Sequence, residues 1–360
     1  MPHIRTALVT GCAGFIGSHL TERLLASGVR VIGVDSFDDY YDPRLKVANL
    51  ETALQNPGFE LELVDLTDAD AVASLASNVQ VDAVVHLAGI PGVRRSIEEP
   101  ARYVRANVLA TQHLLDRFSR ADAVPLVFAG SSSVYGDDTP APFAETAPCV
   151  GPKSPYAATK RAGELLCRVA HETFAAPITV VRLFTVYGPR QRPDLAIRRF
   201  ANAMLADEEI VVYGDGSAAR DYTHVSDVVA GISHAMRERE GFGVVNLGGS
   251  SPVTTMEMVG SLGRIVGVTP RVRHVPQPPG EMRQTFADVR LAGDRWAWRP
   301  QVGFEDGLAD FVLWLRAQGA PKPAPARNAA RRLAVRIGQW LRTRNVRAHG
   351  RPLRLRGSTA

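Results

Sequence analysis

Gly11, Gly14 and Gly17 in VTGCAGFIGSHL stand three residues apart, between a short apolar run and an amphipathic one. That arrangement restricts the start of the chain to one kind of unit: a buried strand, a tight turn and a helix packed close against the strand. Gly11 permits the turn, Gly14 a close backbone approach to a pyrophosphate, and Gly17 close helix–strand contact. The helix N-terminus would turn free N–H groups and the positive end of its dipole toward such an anion. By themselves, three spaced glycines also fit an ordinary turn. The second apolar run adds context, because it ends at Asp35, 24 residues after Gly11. A carboxylate there accepts hydrogen bonds from both adenosine ribose hydroxyls and repels a 2′-phosphate, so the cofactor expected is NAD rather than NADP. Asp65, in LVDLTD, either meets the adenine amino group or caps the helix that follows.

The alternation continues. Apolar runs at 7–10, 29–34, 61–64, 83–87, 126–129 and 179–183 predict strands buried on both faces, and 16–26, 101–120 and 157–174 predict helices between them. The fold class expected is α/β, a doubly wound Rossmann-type parallel sheet. Residues 1–188 form mainly the NAD-binding domain, with a return near 222–248. Mixed pieces punctuated by Gly and Pro over 189–318 predict a smaller C-terminal substrate-binding lobe above the strand ends. A Pro-rich linker at 319–327 and a basic tail at 328–360 complete the chain.

Composition removes other classes. With 45% hydrophobic residues the chain is not disordered, and no apolar run approaches the ~20 residues that span a bilayer. The N-terminus enters the first strand pattern at once, leaving no room for a cleavable signal peptide. Cys12, Cys149 and Cys167 are too few and scattered for a disulfide framework or a zinc knuckle, so no metal site and a reducing cytoplasm are expected. The net charge of +5 conceals two parts: residues 321–360 hold ten Arg and one Lys and no acid, leaving 31 basic against 37 acidic side chains before them. A surface built to track nucleic acid is disfavoured.

SPYAATK places Tyr156 and Lys160 at i and i+4, on one helical face, downstream of FAGSSSVYG. With the glycine turn, these ordered motifs resemble the extended short-chain dehydrogenase/reductase family of nucleotide-sugar epimerases and dehydratases, over about residues 5–318. The resemblance implies Ser131, Tyr156 and Lys160 as the reacting set. Tyr156 would take the proton of a sugar hydroxyl as hydride leaves the same carbon, its phenolate favoured by Lys160 and the positive nicotinamide. Lys160 would also hold the nicotinamide ribose. The resemblance extends the cofactor site to Phe15, Ile16, Leu66, Leu87, Ala88, Gly89 and Asn107. Asn107 itself reads as a polar residue bridging backbone beneath the site, and His86 as a structural residue near the cofactor loop. Cys12 sits in the glycine turn for its small size rather than its thiol.

Family dehydratases resemble TDEVYG, and decarboxylases TSEVYG, where this chain has SSSVYG; Ser132 and Ser133 replace the acid pair that elimination of water requires. Simple 4-epimerisation needs no such acid. VDSFDDYYDPRLK and RLFTVYGPRQRPDLAIRRF resemble the family members that act on UDP-glucuronate. Thr185 stands where most sugar epimerases of the family have Asn. Arg192 would meet the sugar, where a guanidinium can hold a carboxylate through two parallel hydrogen bonds. The implied reaction is NAD-dependent 4-epimerisation, UDP-glucuronate to UDP-galacturonate, through a transient 4-keto sugar. Oxidation at carbon 4 creates a β-keto acid, and Arg192, Thr185, Ser132 and Ser133 would hold its carboxylate against loss of carbon dioxide. Matching positions put Val211 and Tyr213 on uracil, with Arg220 and Arg283 on the diphosphate.

Alternatives stay open at this point: a UDP-glucose or UDP-N-acetylglucosamine 4-epimerase, a UDP-glucuronate decarboxylase, or a catalytically silent NAD-binding protein. Family resemblance also implies a homodimer. In the tail, Leu333, Ile337, Trp340 and Leu341 share a helical stripe among arginines, a pattern suited to peripheral contact with an anionic membrane.

Overall fold

A computed structural model describes residues 4–120 and 123–319, with Val335, Ile337 and the strand at 353–356. β1 (Thr6–Thr10) passes through the glycine turn into α1 (Phe15–Ala26), and β2 (Arg30–Asp35) follows. Next come α2 (Pro43–Asn49), β3 (Phe59–Leu63), α3 (Ala69–Asn78) and β4 (Ala83–His86). α4 (Val93–Glu98), α5 (Pro100–Tyr103), a π-helical turn at Val104–Leu109 and α6 (Ala110–Phe118) precede β5 (Leu126–Ser131). α7 (Pro155–Phe174) and β6 (Ile178–Leu183) end this half.

The second half holds β7 (Thr185–Tyr187), α8 (Ala196–Leu205), β8 (Ile210–Tyr213), β9 (Ala219–His224), α9 (Val225–Ala235) and β10 (Phe242–Leu247). β11 (Pro252–Thr254), α10 (Thr255–Val266), β12 (Val272–Val275), α11 (Arg290–Trp296), α12 (Phe304–Gly319) and β13 (Leu353–Arg356) complete it.

Seven parallel strands lie in the order β10-β6-β5-β4-β1-β2-β3, the doubly wound arrangement extended by β10. Outside β3, whose Glu60 and Glu62 alternate with Phe59, Leu61 and Leu63, successive strand residues enter opposite core layers. Ala7, Val9, Val31, Val85 and Val181 join one cluster, and Leu8, Ile32, Val84 and Val180 the other. That double burial is why the strands read as unbroken apolar runs. The smaller lobe packs α8, α10 and α12 about Tyr187, Phe200, Met258 and Phe311, beside the short β8–β12 and β7–β9–β11 sheets.

The helix expected over 101–120 is present without a gap over 100–118, but it is not regular. Its middle widens into the π turn, and the extra residue brings Asn107 inward, where its side chain bonds both the N–H and the carbonyl of Ile90 and the Thr159 hydroxyl. α7 begins two residues earlier than expected, because Ser154 caps it and Pro155 fits the first turn.

The tail also departs from a separate appendage. Ile337 is buried in the first core cluster, and β13 pairs antiparallel with β3, its Leu-Arg-Leu-Arg in register with Leu63, Glu62, Leu61 and Glu60. Leu333, Trp340 and Leu341, on which the expected membrane contact rests, lie outside the described residues, as does most of the linker. No helix among the described residues is long and apolar enough to cross a membrane. Cys12, Cys149 and Cys167 are buried and unbridged.

Candidate active site

One cleft of about 1000 Å³ runs along the carboxyl ends of the strands, between the sheet and the smaller lobe. Gly11, Gly14, Phe15, Ile16, Gly17, Asp35, Asp65, Leu66, Leu87, Ala88 and Gly89 line one end. The backbone there is shaped to admit a close ligand. Gly11 has φ +71, and a Cβ on it would meet the Ala88 backbone at 2.8 Å; one on Gly17 would overlap the Gly11 carbonyl oxygen. Gly14 caps α1 without a side chain, and the first turn of α1 carries no acid, so its N–H groups suit a pyrophosphate.

Asp35 ends β2, with one carboxylate oxygen accepting from Phe37 N–H at 2.7 Å and from Lys46 at 3.3 Å, the other from Ala13 N–H at 3.2 Å. These fixed contacts orient a buried carboxylate toward the cleft, where ribose hydroxyls would sit, and the residues fit NAD. Asp65 also lines the cleft and accepts from Thr67 N–H at 3.0 Å, while the cap of α3 is Asp68. Asn107 stands behind the Gly89–Ile90 backbone rather than in the cleft wall. His86 bonds the Thr10 and Thr111 hydroxyls, and Thr10 in turn accepts from Ala88 N–H, so this histidine braces the cofactor loop. Burial, then the Lys160 charge, pushes its pKa down to about 3. Cys12 is fully buried with its thiol against Gly33, where a Cβ would come within 2.7 Å of the sulfur.

Ser131, Ser132, Tyr156 and Lys160 line the middle of the cleft. Ser131 ends β5, and Tyr156 lies in the first turn of α7 with Lys160 one turn on. Burial raises the Tyr156 phenol above its ordinary range, while a hydrogen bond from Ser131 and the charge of Arg192 lower it. Lys160 donates to the Ala129 carbonyl at 2.9 Å. Burial brings Lys160 down to about 8 against the pull of Glu164 and Cys167, so it stays mostly protonated at neutral pH.

At the far end, Thr185 and Arg192 enter from the β6–β7 region and the loop before α8. Ser133 bonds Ser131 at 2.8 Å and faces a small side recess shared with Ser132 and Thr185. Arg192 differs from expectation. Its Nε and Nη2 donate to the two oxygens of Asp194, each at 3.0 Å, so the forked edge is already occupied and only the Nη1 end stays free of Asp194. Tyr213 and Arg220 line the cleft, but Val211, one strand repeat earlier on the same face, does not. Arg283 is also outside it. Met282 turns into the Tyr135–Phe143 cluster, which leaves Arg283 pointing out. Two cleft residues beside Tyr213 and Arg220 were not visible in the sequence. Arg94 stacks on Tyr213 with its Cζ 3.9 Å from the ring centre, and Glu281 joins Arg94 and Arg220.

A profile of the NAD dependent epimerase/dehydratase family matches residues 7–248. The chain belongs to that family. It is an NAD-dependent epimerase. It is 36% identical over 308 residues to a UDP-glucuronate 4-epimerase of Thermodesulfobacterium geofontis, covering 85% of this chain and 95% of the other. The crystal structure of UDP-glucuronic acid 4-epimerase from Bacillus cereus, in complex with UDP-glucuronic acid and NAD, superposes with a TM-score of 0.82 at 36% identity. That match covers 87% of this chain and 99% of the other. UDP-glucose 4-epimerase from Thermotoga maritima, with UDP-glucose, matches with a TM-score of 0.80 at 30% identity, again over 87% and 99%.

Besides Arg94 and Glu281, Tyr40, Arg95 and Asp194 of this epimerase line the cleft unforeseen. Each touches a residue far away in sequence, Asp194 through Tyr40 besides its neighbour Arg192, and contacts between distant loops leave no local pattern. Only the DDYYD and RPD runs, singled out by resemblance alone, pointed toward Tyr40 and Asp194.

Proposed function

We propose that the protein converts UDP-glucuronate to UDP-galacturonate by oxidation and re-reduction at carbon 4. The observation that carries this reading is the gathering of Arg192, Thr185, Ser131 and Ser132 with Tyr156 in one cleft, Ser133 bonding Ser131 from the adjoining recess. Bound NAD supplies a reversible hydride acceptor. Tyr156 takes the proton of the 4-hydroxyl, and Ser131 hydrogen-bonds the reacting oxygen. Lys160 holds the cofactor ribose. Arg192, with Thr185, Ser132 and Ser133, keeps the sugar carboxylate out of line with the new carbonyl, so the ring can turn without losing carbon dioxide. At position 133 a serine supplies no acid for eliminating water, which separates this site from a dehydratase.

Incubation with UDP-glucuronate, UDP-glucose and UDP-N-acetylglucosamine separately, followed by NMR without added reductant, tests the substrate. UDP-galacturonate from the first alone is expected, and no reaction there overturns the reading. The Arg192–Asp194 pair reduces the cationic pull of the cleft and favours, as a second reading, a neutral hexose; turnover of UDP-glucose alone would select it.

A homodimer follows from the same reading. Val104 and Leu109 beside α6, and Leu165 and Val169 on α7, are all exposed on adjoining helices, an apolar stripe suited to a second copy. Sedimentation at the monomer mass contradicts it. The free, buried thiols agree with a reducing, cytoplasmic setting.

A further inference from the structure

The DDYYD run and the RPD run lie over 150 residues apart in sequence, and the fold brings them into contact. Tyr40 Oη is 3.5 Å from Asp194, and the Tyr40 ring faces the Arg192 guanidinium with 5.8 Å between Cζ and the ring centre. Asp194 grips Arg192 on its forked edge. Tyr40 is itself fixed from three sides. Arg95 donates to its carbonyl at 3.1 Å and lies over its ring at 4.9 Å. Its N–H donates to Asp38, which Arg102 holds at 2.7 Å. A side chain at Gly92, which has φ +101, would overlap its hydroxyl, so the loop after β4 is cut back to admit it.

We propose that Asp194 and Tyr40 are positioning residues for Arg192, joining the loop after β2, at the adenosine end of the cofactor, to the group that holds the sugar acid. The couple presents the Nη1 end of Arg192 to the carboxylate in one orientation. An arginine held this way restrains the carboxylate plane; one freed of Asp194 keeps the charge and loses the restraint. The inference rests on the UDP-glucuronate reading given above.

A double-mutant cycle separates action through Arg192 from a direct charge effect. Asp194 is exposed, so its removal leaves the core intact. With UDP-glucuronate as substrate, Asp194→Ala is expected to lower kcat/KM about tenfold and to release carbon dioxide, yet change the Arg192→Ala enzyme by less than about twofold. Tyr40→Leu should follow the same pattern, and Tyr40→Phe, which keeps the ring face, should lose less. NAD content and melting temperature, expected to be unchanged in each variant, control for folding. Equal losses in both backgrounds overturn the proposal, as does a lower KM for Asp194→Ala without carbon dioxide release, the mark of simple charge screening. If the unaltered enzyme leaves UDP-glucuronate untouched, the substrate reading itself fails, and this inference with it.

Discussion

At Tyr156, burial opposes ionisation while the Ser131 hydrogen bond and the Arg192 charge favour it. The phenol therefore draws on groups at both the reacting and the sugar ends of the cleft. Tyr156→Phe removes the proton acceptor and keeps the ring, so kcat should fall about 10²–10⁴-fold while the protein still carries NAD, measured by release of the cofactor on denaturation. His86 makes a prediction about acid. Its folded-state pKa of about 3 lies below the ordinary 6.5, so between those values the unfolded chain binds more protons and stability falls as pH drops. The contribution is at most about 1.4 kcal/mol per pH unit. Buried His19, its pKa brought down to about 4, adds a slope of the same sign, so in denaturant titrations from pH 7 to 5 His86→Gln should reduce the slope without abolishing it; an unchanged slope contradicts a neutral buried imidazole at 86.

Two elements carry the site, and each has a residue whose loss is diagnostic. A Cβ at Gly17 would overlap the Gly11 carbonyl oxygen, so Gly17→Ala should abolish NAD retention by displacing the turn that opens α1. Retained NAD would show that the turn is not the cofactor's seat. In α7, Glu164 forms a forked, fully buried pair with Arg182 of β6, both bonds 2.9 Å long. Glu164→Ala leaves that guanidinium unpaired and should cost about 3–5 kcal/mol in a denaturant titration. Strands and helices of this kind were legible because apolar periodicity reports burial directly: β1 through β6 fall within a few residues of their apolar runs. The π turn was not legible. It depends on Asn107 reaching Ile90 and Thr159, contacts that no helical pattern of 101–120 encodes. Asp68 capping α3 in place of Asp65 is the same lesson at one residue's scale, since both lie within reach of the helix start in sequence.

Across the whole molecule, glycine spacing and the Tyr–Lys pair pointed to residues that the fold gathers in one cleft, because each motif is local in sequence. The sugar and nucleotide ends were read less well. Arg192 lines the cleft as expected, but its tie to Asp194 and Tyr40 was not visible, and Arg283 lies outside the cleft beside the buried Met282. The basic tail likewise joined the body through Ile337 and the pairing of β13 with β3. Removing residues 321–360 should lower the melting temperature by baring the β3 edge, with turnover unchanged; equal melting temperatures contradict that pairing. The central claim is that hydride leaves and returns to one carbon while the carboxylate stays. UDP-glucuronate carrying deuterium at carbon 4 tests it most directly, with products followed by NMR and mass spectrometry in ordinary water. The account predicts UDP-galacturonate with the deuterium still at carbon 4 and no carbon dioxide released. Deuterium lost to solvent, or a UDP-pentose in place of UDP-galacturonate, would contradict it.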